Sequence, residues 1–150
     1  MSVAFRREED EEHREPRFEL PLPPGPNLVT ARGKALNDER IDELEAQLGA
    51  AADEQAEAIR RSLRYWQTRR ATAIPTAAPS DGTVGFGSIV DILLDGKPRR
   101  IAVVGDDEAD PKAGRIAFSA PLARALIGAE AGDLLPFAGR EDAIEVVAVA

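Results

Sequence analysis

The sequence predicts an α+β protein: an N-terminal antiparallel helical hairpin, forming a short coiled coil, and then an antiparallel sheet domain with one short helix. Apolar residues recur at helical spacing over residues 28–74, and short strand patterns separated by turn residues fill 84–150. Between them, residues 75–83 contain two prolines and an Asp-Gly pair, which is typical of a linker. Residues 1–27 form a further segment ahead of the hairpin.

Residues 1–27 are predicted to be an acidic, proline-rich and disordered tail. The run Glu8–Glu12 has no apolar period, and four prolines between residues 21 and 26 disfavour a helix. The role of this tail is left open by the sequence. It could fold back on the arginines of the hairpin, or it could be a solvated spacer.

The hairpin arms are predicted from capping residues and apolar spacing. Thr30 is a candidate N-cap of the first arm, Gly49 closes that arm, and Asp53 can cap the second arm. The predicted coiled-coil seam consists of Leu36, Ile41, Leu44, Leu48, Ala56, Ile59, Leu63, Trp66, Arg70 and Ala73. A loop of only a few residues between the arms makes them antiparallel neighbours.

The C-terminal part is predicted to hold about five strands and one helix. The predicted strands are Val84–Leu94, Arg99–Val104, Arg115–Phe118, Leu134–Phe137 and Ile144–Val149. Asp95-Gly96 is a hairpin turn signal, and the helix Pro121–Ile127 has proline near its start, as helices permit. The expected result is a small antiparallel sheet with one helix packed on it.

Composition excludes several classes of function. The chain has no cysteine, which excludes disulfides and cysteine metal sites. Its net charge of −8 makes free nucleic acid an unexpected primary partner, so a basic protein surface is the better candidate. No apolar run reaches about 18 residues, and the charged N-terminus lacks the apolar core of a signal peptide. We therefore expect a soluble cytoplasmic protein without membrane contact.

One long block resembles a known bacterial family. The segment VVGDDEADPKAGRIAFSAPLARALIG, at Val103–Gly128, is similar to the signature of the GreA/GreB transcript-cleavage factors, which bind RNA polymerase. The stretches FGSIVDI, IEVVAV, LVTARGKAL and LRYWQTRR extend the resemblance to about Asn27–Ala150. The resemblance implies an FKBP-like C-terminal domain and a protein that is not an enzyme, with no cofactor of its own, because the chemistry belongs to the polymerase metals.

The resemblance also implies a docking loop on the C-terminal domain. In the family, the loop before the short helix grips the rim of the polymerase secondary channel. In this chain that loop consists of Ser119, Ala120, Pro121 and Leu122. The alternative from the residues themselves is that Pro121 and Leu122 merely begin the helix and fill the core.

A second implied site lies at the hairpin tip. In the family, the hairpin enters the channel and tip acids hold a catalytic Mg²⁺ in trans, since carboxylates are the ligands this cation prefers. The candidate acids in this chain are Asp53, Glu54 and Glu57, next to a basic face made of Arg60, Arg61 and Arg64. The simpler alternatives are acids that favour the helix dipole and exposed ion pairs between the arms.

The tip departs from the family pattern. The family motif G-D-L-x-E-N-A-E-Y is replaced by LGAAADEQAEAI. Each arm is about ten residues shorter, which removes about 15 Å of reach at 1.5 Å per residue. In length the hairpin resembles that of Rnk, which has a similar C-terminal domain and is thought to bind polymerase without promoting cleavage. A cleavage stimulator and a competitor that occupies the channel both remain possible readings.

Two other classes of function are weaker alternatives. The implied fold prompts a prolyl isomerase, but fold alone is a weak argument and the domain offers only Phe86, Phe118 and Phe137 as pocket aromatics. A coiled-coil module that dimerises through the hairpin is the other alternative. Arg70 at a seam position argues against it, so we expect a monomer.

Overall fold

The computed structural model describes residues 19–150, and the acidic run Glu8–Glu12 lies outside that range. The helices are α1 (Ala31–Ala50), α2 (Asp53–Thr72) and α3 (Pro121–Leu126). The strands are β1 (Leu28–Val29), β2 (Ile74–Pro75), β3 (Ile89–Leu94), β4 (Lys97–Val104), β5 (Arg115–Ala117), β6 (Leu134–Phe137) and β7 (Arg140–Val149). Two long helices ahead of a mostly antiparallel sheet confirm the predicted α+β class.

The chain forms two compact units. The hairpin unit consists of Asn37–Thr72 and the chain up to Gly25, and the sheet unit consists of Pro26–Leu36 and Ala73–Ala150. Within the described part of the chain, no helix combines the length and the apolar character needed to cross a membrane.

In the hairpin unit, Ala51 and Ala52 alone separate α1 from α2. The amide orientation of Asn37 is assigned from its neighbours: with the amide nitrogen toward the Trp66 carbonyl oxygen (3.1 Å), the amide oxygen accepts from the backbone N–H of Arg70 (3.3 Å). Because Asn37 and Trp66 lie at similar chain distances from the two-alanine link, this contact requires antiparallel arms. Asn37 is buried, so its amide has no access to water and is satisfied instead by the other helix of the pair.

Three local expectations for the hairpin are corrected. Helix α1 continues past Gly49 to Ala50, and Asp53 is the first residue of α2 rather than its cap. The carbonyl oxygen of Ala52 accepts the first hydrogen bond of α2, from Ala56 (2.8 Å). At the other end of α2, Arg70 is exposed and Arg69 is buried, so the seam advances three residues from Trp66 rather than four.

In the sheet unit, the five-stranded sheet has the order β5-β4-β3-β7-β6. Three of its pairings are antiparallel, but β4 and β5 pair in parallel, which corrects the fully antiparallel prediction. A parallel neighbour needs a crossover connection, and the acidic loop supplies it as two short 3-10 turns, Asp106–Glu108 and Pro111–Ala113.

Four strand boundaries also differ from the prediction: β4 begins at Lys97 and β5 ends at Ala117, which are small shifts, and two strand starts move further. The first strand begins at Ile89 rather than Val84, because residues 84–88 form a loop in which Gly85 donates to the Ser88 hydroxyl (2.9 Å). The last strand begins at Arg140, because Ala138 and Gly139 make a tight turn with φ of 52° and 78°. The sequence did not predict this turn, since alanine rarely adopts positive φ.

The core of the sheet unit lies between α3 and one face of the sheet. Its buried members are Val84, Val90, Ile92, Ile101, Val103, Ala123, Leu126, Ala129, Ile144 and Val146. Most of the strand members alternate with half-buried or exposed residues, as expected for a sheet with one covered face. Phe86 and Phe118 contact each other edge to face, with ring centroids 5.5 Å apart. Packing on this core holds α3, and therefore the loop that precedes it, in one position.

Candidate functional site

The predicted docking loop is held at both ends by hydrogen bonds within the sheet unit. The Ser119 hydroxyl donates to a carboxylate oxygen of Asp106 (2.7 Å). The backbone N–H of Ala120 donates to the Ala117 carbonyl (2.9 Å), and the Ala120 carbonyl accepts from Arg124 (3.0 Å). The loop is therefore already ordered by bonds within the sheet unit, so a partner that bound it would not have to supply the entropic cost of ordering it.

The four predicted docking residues differ in exposure. Ser119 and Pro121 are exposed, Ala120 is half-buried, and Leu122 packs against the apolar core. For Leu122 the structure shows the core-filling contact that the sequence left as an alternative. Pro121 begins α3 and is the apolar residue that the loop presents to solvent.

The outer face of α3 continues this exposed surface. Pro121 and Arg124 lie one turn apart on α3 and are both exposed, and Ile127, the residue that directly follows the helix, is 44% exposed. The inner positions Ala123 and Leu126 are fully buried. Sequence reasoning missed Arg124 and Ile127 because it stopped at the loop, although their spacing from Pro121 was available.

The acidic loop carries a buried carboxylate that sequence reasoning also missed. The Glu108 side chain is only 4% exposed, and its partner Arg32 lies 3.2 Å away. The Thr30 hydroxyl donates to the other carboxylate oxygen of Glu108 at 2.5 Å. A buried charge is tolerated only when it is paired and hydrogen-bonded, and Glu108 meets both conditions.

Glu108 meets the beginning of α1, where the predicted N-cap is confirmed. The backbone N–H of Gly33 donates to the Thr30 hydroxyl (3.0 Å). A Cβ at Gly33 would lie 2.8 Å from Glu108 Oε1, so a side chain at this position would push the carboxylate from its place. The helix N-terminus also favours a negative charge at this point. Through Glu108 and Asp106, one loop is bonded both to the start of α1 and to Ser119.

The hairpin tip presents the predicted acids in two settings. Asp53 and Glu54 are exposed in the first turn of α2. Glu57, one turn later, lies 3.5 Å from Arg60 and 3.8 Å from Arg64. Among residues 19–150, no group of three or more His, Asp or Glu side chains is placed to hold a metal ion. The role of Asp53, Glu54 and Glu57 toward a metal supplied by a partner stays a prediction.

The predicted basic face of α2 is partly engaged by acids of this chain. Arg64 meets Glu19 at 2.8 Å, and this hydrogen-bonded pair raises the pKa of the Arg64 guanidinium above its ordinary value. Arg60 is exposed and Arg61 is half-buried. The three arginines thus form one strip of α2, with carboxylates at its edges.

Comparison with known proteins decides the family. The model of the family described as "Transcription elongation factor, GreA/GreB, C-term" matches residues 79–150. Transcription elongation factor GreA of Vibrio parahaemolyticus is 37% identical over 119 residues, which are 76% of this chain and 73% of that protein. The chain belongs to the GreA/GreB family. Membership agrees with the prediction that this family member is not an enzyme.

Other matches are shorter or more distant. GreA of Ralstonia nicotianae is 47% identical over 62 residues, 40% of this chain and 39% of that protein. The alignments span about half the length of the first relatives, such as 54% for GreA of Allorhizobium ampelinum. A solved GreA/GreB structure from Nitrosomonas europaea is 17% identical with a TM-score of 0.41, covering 85% of this chain and 99% of that one. The family-model match contains both the predicted docking loop and Glu108, whereas Asp53 and Glu54 lie outside it.

Proposed function

We propose that this family member regulates transcription elongation by binding RNA polymerase, with the Ser119–Leu122 loop docking on the rim of the secondary channel. Its relatives are named transcription elongation factors, and the matched region contains this loop in a formed and exposed state. We further propose that it acts in the cytoplasm as a monomer, without a cofactor of its own.

The chemistry of the loop suits a protein surface. Pro121 and Ile127 provide an exposed apolar strip, and Arg124 between them provides a positive charge. An apolar centre flanked by charge is the usual make-up of a protein–protein contact, in which a few central residues carry most of the binding energy. Because Ser119 is fixed by Asp106, the strip keeps its shape in the free protein.

For the hairpin we propose occupation of the channel rather than stimulation of cleavage. Each arm is one helix of 20 residues, so the hairpin is about 30 Å long at 1.5 Å per residue. This short reach is the first reason for the proposal. Glu57 forms ion pairs with arginines of its own helix. The acids nearest the Ala51–Ala52 link at the hairpin tip are then Asp53 and Glu54. The rival mechanism, in which these two acids hold polymerase-bound Mg²⁺ in trans, makes a different prediction and is tested below.

Docking is tested by capture of core RNA polymerase on the immobilised full-length chain. Pro121→Asp places a charge in the apolar strip and should weaken capture at least tenfold, which is about 1.4 kcal/mol. Pro136→Asp is the matched control, since Pro136 is exposed on the edge strand β6 of the same sheet unit. Equal capture by both variants, or none by the unmodified chain, would contradict the proposal.

The hairpin mechanism is tested on a stalled, backtracked elongation complex. We expect the chain to leave the transcript length unchanged and to slow cleavage stimulated by an added GreA protein. Pro121→Asp should lose this inhibition, because it no longer docks. If the unmodified chain shortens the transcript and the Asp53→Ala/Glu54→Ala variant does not, the chain is a cleavage stimulator and the short reach has been overestimated.

A further inference from the structure

The acidic turn that follows β4 lies beside the loop proposed to dock, because β4 and β5 pair in parallel. Val104 ends β4 and is the pairing partner of Ala117, and its carbonyl oxygen accepts from the backbone N–H of Phe118 (2.8 Å). The residues that follow the two strands therefore leave the sheet at the same end. This places Asp106 next to Ser119, whose hydroxyl donates to a carboxylate oxygen of Asp106 (2.7 Å).

The acidic turn is fixed by contacts on its other side. Gly105 is buried, and a Cβ there would collide with the carbonyl oxygen of Leu28, so the turn begins in direct contact with β1. Glu108 ends the turn, and its backbone N–H donates to the Gly105 carbonyl oxygen (3.1 Å). The buried Glu108 carboxylate accepts from Thr30 and pairs with Arg32. All of these residues belong to the sheet unit.

The two sides of the turn differ in their access to water. The Glu108 side chain is 4% exposed, and a hydrogen bond is stronger where water is excluded, whereas Ser119 is exposed. A surface hydrogen bond restricts a loop only if its partner is itself held in place. Asp106 meets this condition, because Glu108 fixes the turn that carries it. Release of Glu108 should therefore also release Ser119.

We infer that Asp106 is a positioning residue of the Ser119–Leu122 loop, and that Glu108 acts on this loop through Asp106. The inference rests on the proposed function, because it gives these acids a part in binding polymerase as well as in folding. Asp106 fixes Ser119 before the partner arrives, so less conformational entropy is lost on binding. Neither carboxylate needs to touch the partner.

The positioning role is measured first in the free chain, without polymerase. NMR order parameters of the Ser119 and Ala120 amides are about 0.85 for a rigid backbone and below about 0.6 for a flexible one. Asp106→Ala should lower both toward the flexible value, whereas Asp106→Asn keeps an acceptor for the hydroxyl and should not. Asp81→Ala is the matched control, because Asp81 accepts from the Thr83 hydroxyl (2.6 Å) in the same unit. Unchanged order parameters in Asp106→Ala overturn the inference.

The part played by Glu108 is tested from the side that faces α1. Glu108→Ala and Thr30→Val each remove the bond between these two side chains, and Thr30→Val does so with little change of shape. Both should lower the Ser119 order parameter in spectra whose sheet amides remain dispersed as in the unmodified chain. Thr30→Ser keeps the hydroxyl and should leave it unchanged. If both variants leave Ser119 as rigid as before while Asp106→Ala does not, the action of Glu108 through Asp106 is wrong.

Capture of core RNA polymerase by the full-length chain tests the part played in binding. Asp106→Ala should weaken capture about threefold to tenfold, the cost of immobilising one side chain on binding. Asp106→Asn and Asp81→Ala should bind like the unmodified chain. In a Ser119→Ala background, Asp106→Ala should cause no further loss, because the hydrogen bond is already absent. If Asp106→Asn loses as much as Asp106→Ala, the charge contacts the partner directly and the positioning role is wrong.

The two readouts separate failure of this inference from failure of the proposed function. If the unmodified chain captures polymerase, Pro121→Asp does not, and Asp106→Ala captures normally, then docking stands and the inference is wrong. If the unmodified chain captures no polymerase, the proposed function is wrong and the part of the inference that concerns binding falls with it. The order parameters of the free chain then still decide whether Asp106 and Glu108 position the loop.

Discussion

The sheet unit and the hairpin unit differ most in how much apolar surface they bury. The sheet unit has a cluster of ten buried residues between α3 and the sheet. Among the described residues of the hairpin unit, the buried apolar side chains are Ile41, Ala56 and Leu63. Each buried aliphatic side chain contributes about 1.5–3 kcal/mol. The Ser119–Leu122 loop, proposed to dock, is therefore carried by the unit with the larger core, while the hairpin depends on local helix formation and a few contacts.

This difference is consistent with the proposed roles of the two units, which are docking for the sheet unit and channel occupation for the hairpin unit. A docking surface benefits from rigidity, because ordering a loop on binding costs affinity. A hairpin that enters a confined channel benefits from segments that open locally at low free energy, as elements with few buried contacts do. Under the proposed function, the rigid unit would make the rim contact and the more adaptable unit would be the inserted end.

The largest effect should come from matched truncations of the two cores. Leu126→Ala should destabilise the sheet unit by about 2–5 kcal/mol, because it opens a cavity under α3. Leu63→Ala in α2 should cost less, toward the low end of that range, because the smaller hairpin core can collapse around the change. Native-state hydrogen exchange reads the two units separately. If Leu63→Ala lowers protection of the sheet amides as much as Leu126→Ala does, the units do not differ as described.

Sequence reasoning did well where signals are local. The Thr30 cap, the Asp95-Gly96 turn and the helix that begins at Pro121 depend on neighbouring residues and lie where the sequence predicted them. The resemblance to the GreA/GreB family, carried by Val103–Gly128, was confirmed for the same reason, since the segment is contiguous.

What sequence reasoning missed depends on pairing across the chain. Sequence reasoning treated Glu108 as one of several acids in a loop, because its partners Thr30 and Arg32 lie 78 and 76 residues away in the chain. The parallel pairing of β5 depends on a crossover that no local signal marks. Arg69 replaced Arg70 as the buried arginine because helix rotation is set by packing rather than by an ideal heptad.

The buried Glu108 carboxylate gives the next largest effect, within the sheet unit. Glu108→Ala removes the acceptor for Thr30 and Arg32 and should cost about 1–3 kcal/mol in the free energy of unfolding. The loss is limited because Arg32 is 53% exposed and returns to water. Glu108→Gln keeps one acceptor oxygen and should lose less. Urea unfolding measures both, with the exposed Glu141→Ala as control, and equal stability of Glu108→Ala and the control would contradict the assignment.

Thr30→Ala tests the cap at the point where the acidic loop meets α1. It should cost about 1 kcal/mol, within the 0.5–2 kcal/mol measured for such caps, because Gly33 loses its acceptor. Thr30→Ser retains the hydroxyl and should be close to the unmodified chain. Combined with Glu108→Ala, the loss should be less than additive, since both changes remove the same hydrogen bond. Full additivity in urea unfolding would show that the two side chains act independently.

The tip acids should have a smaller effect on stability. Asp53→Ala and Glu54→Ala each remove a charge that favours the N-terminal dipole of α2, worth about 0.3–1 kcal/mol at low salt. The control is Glu39→Ala, because Glu39 is exposed but lies in the body of α1 and not in the first turn of a helix. Hydrogen exchange of the hairpin amides measures the loss. A loss that persists at high salt would show a contact other than the dipole.

The smallest expected effect is a pH dependence of the sheet unit that comes from the Asp91–Arg100 pair. Arg100 bonds Asp91 through Nε (2.9 Å) and Nη2 (3.3 Å), and this lowers the pKa of the Asp91 carboxyl. A lowered pKa means that the unfolded chain binds the proton more tightly, so the stabilisation is complete above about pH 4 and is lost as pH falls further. Asp91→Asn should therefore flatten the acid limb of the sheet unit's stability curve and leave hairpin exchange unchanged. Because the pair is exposed, salt should shrink the same difference, and a salt-independent acid limb would place its origin elsewhere.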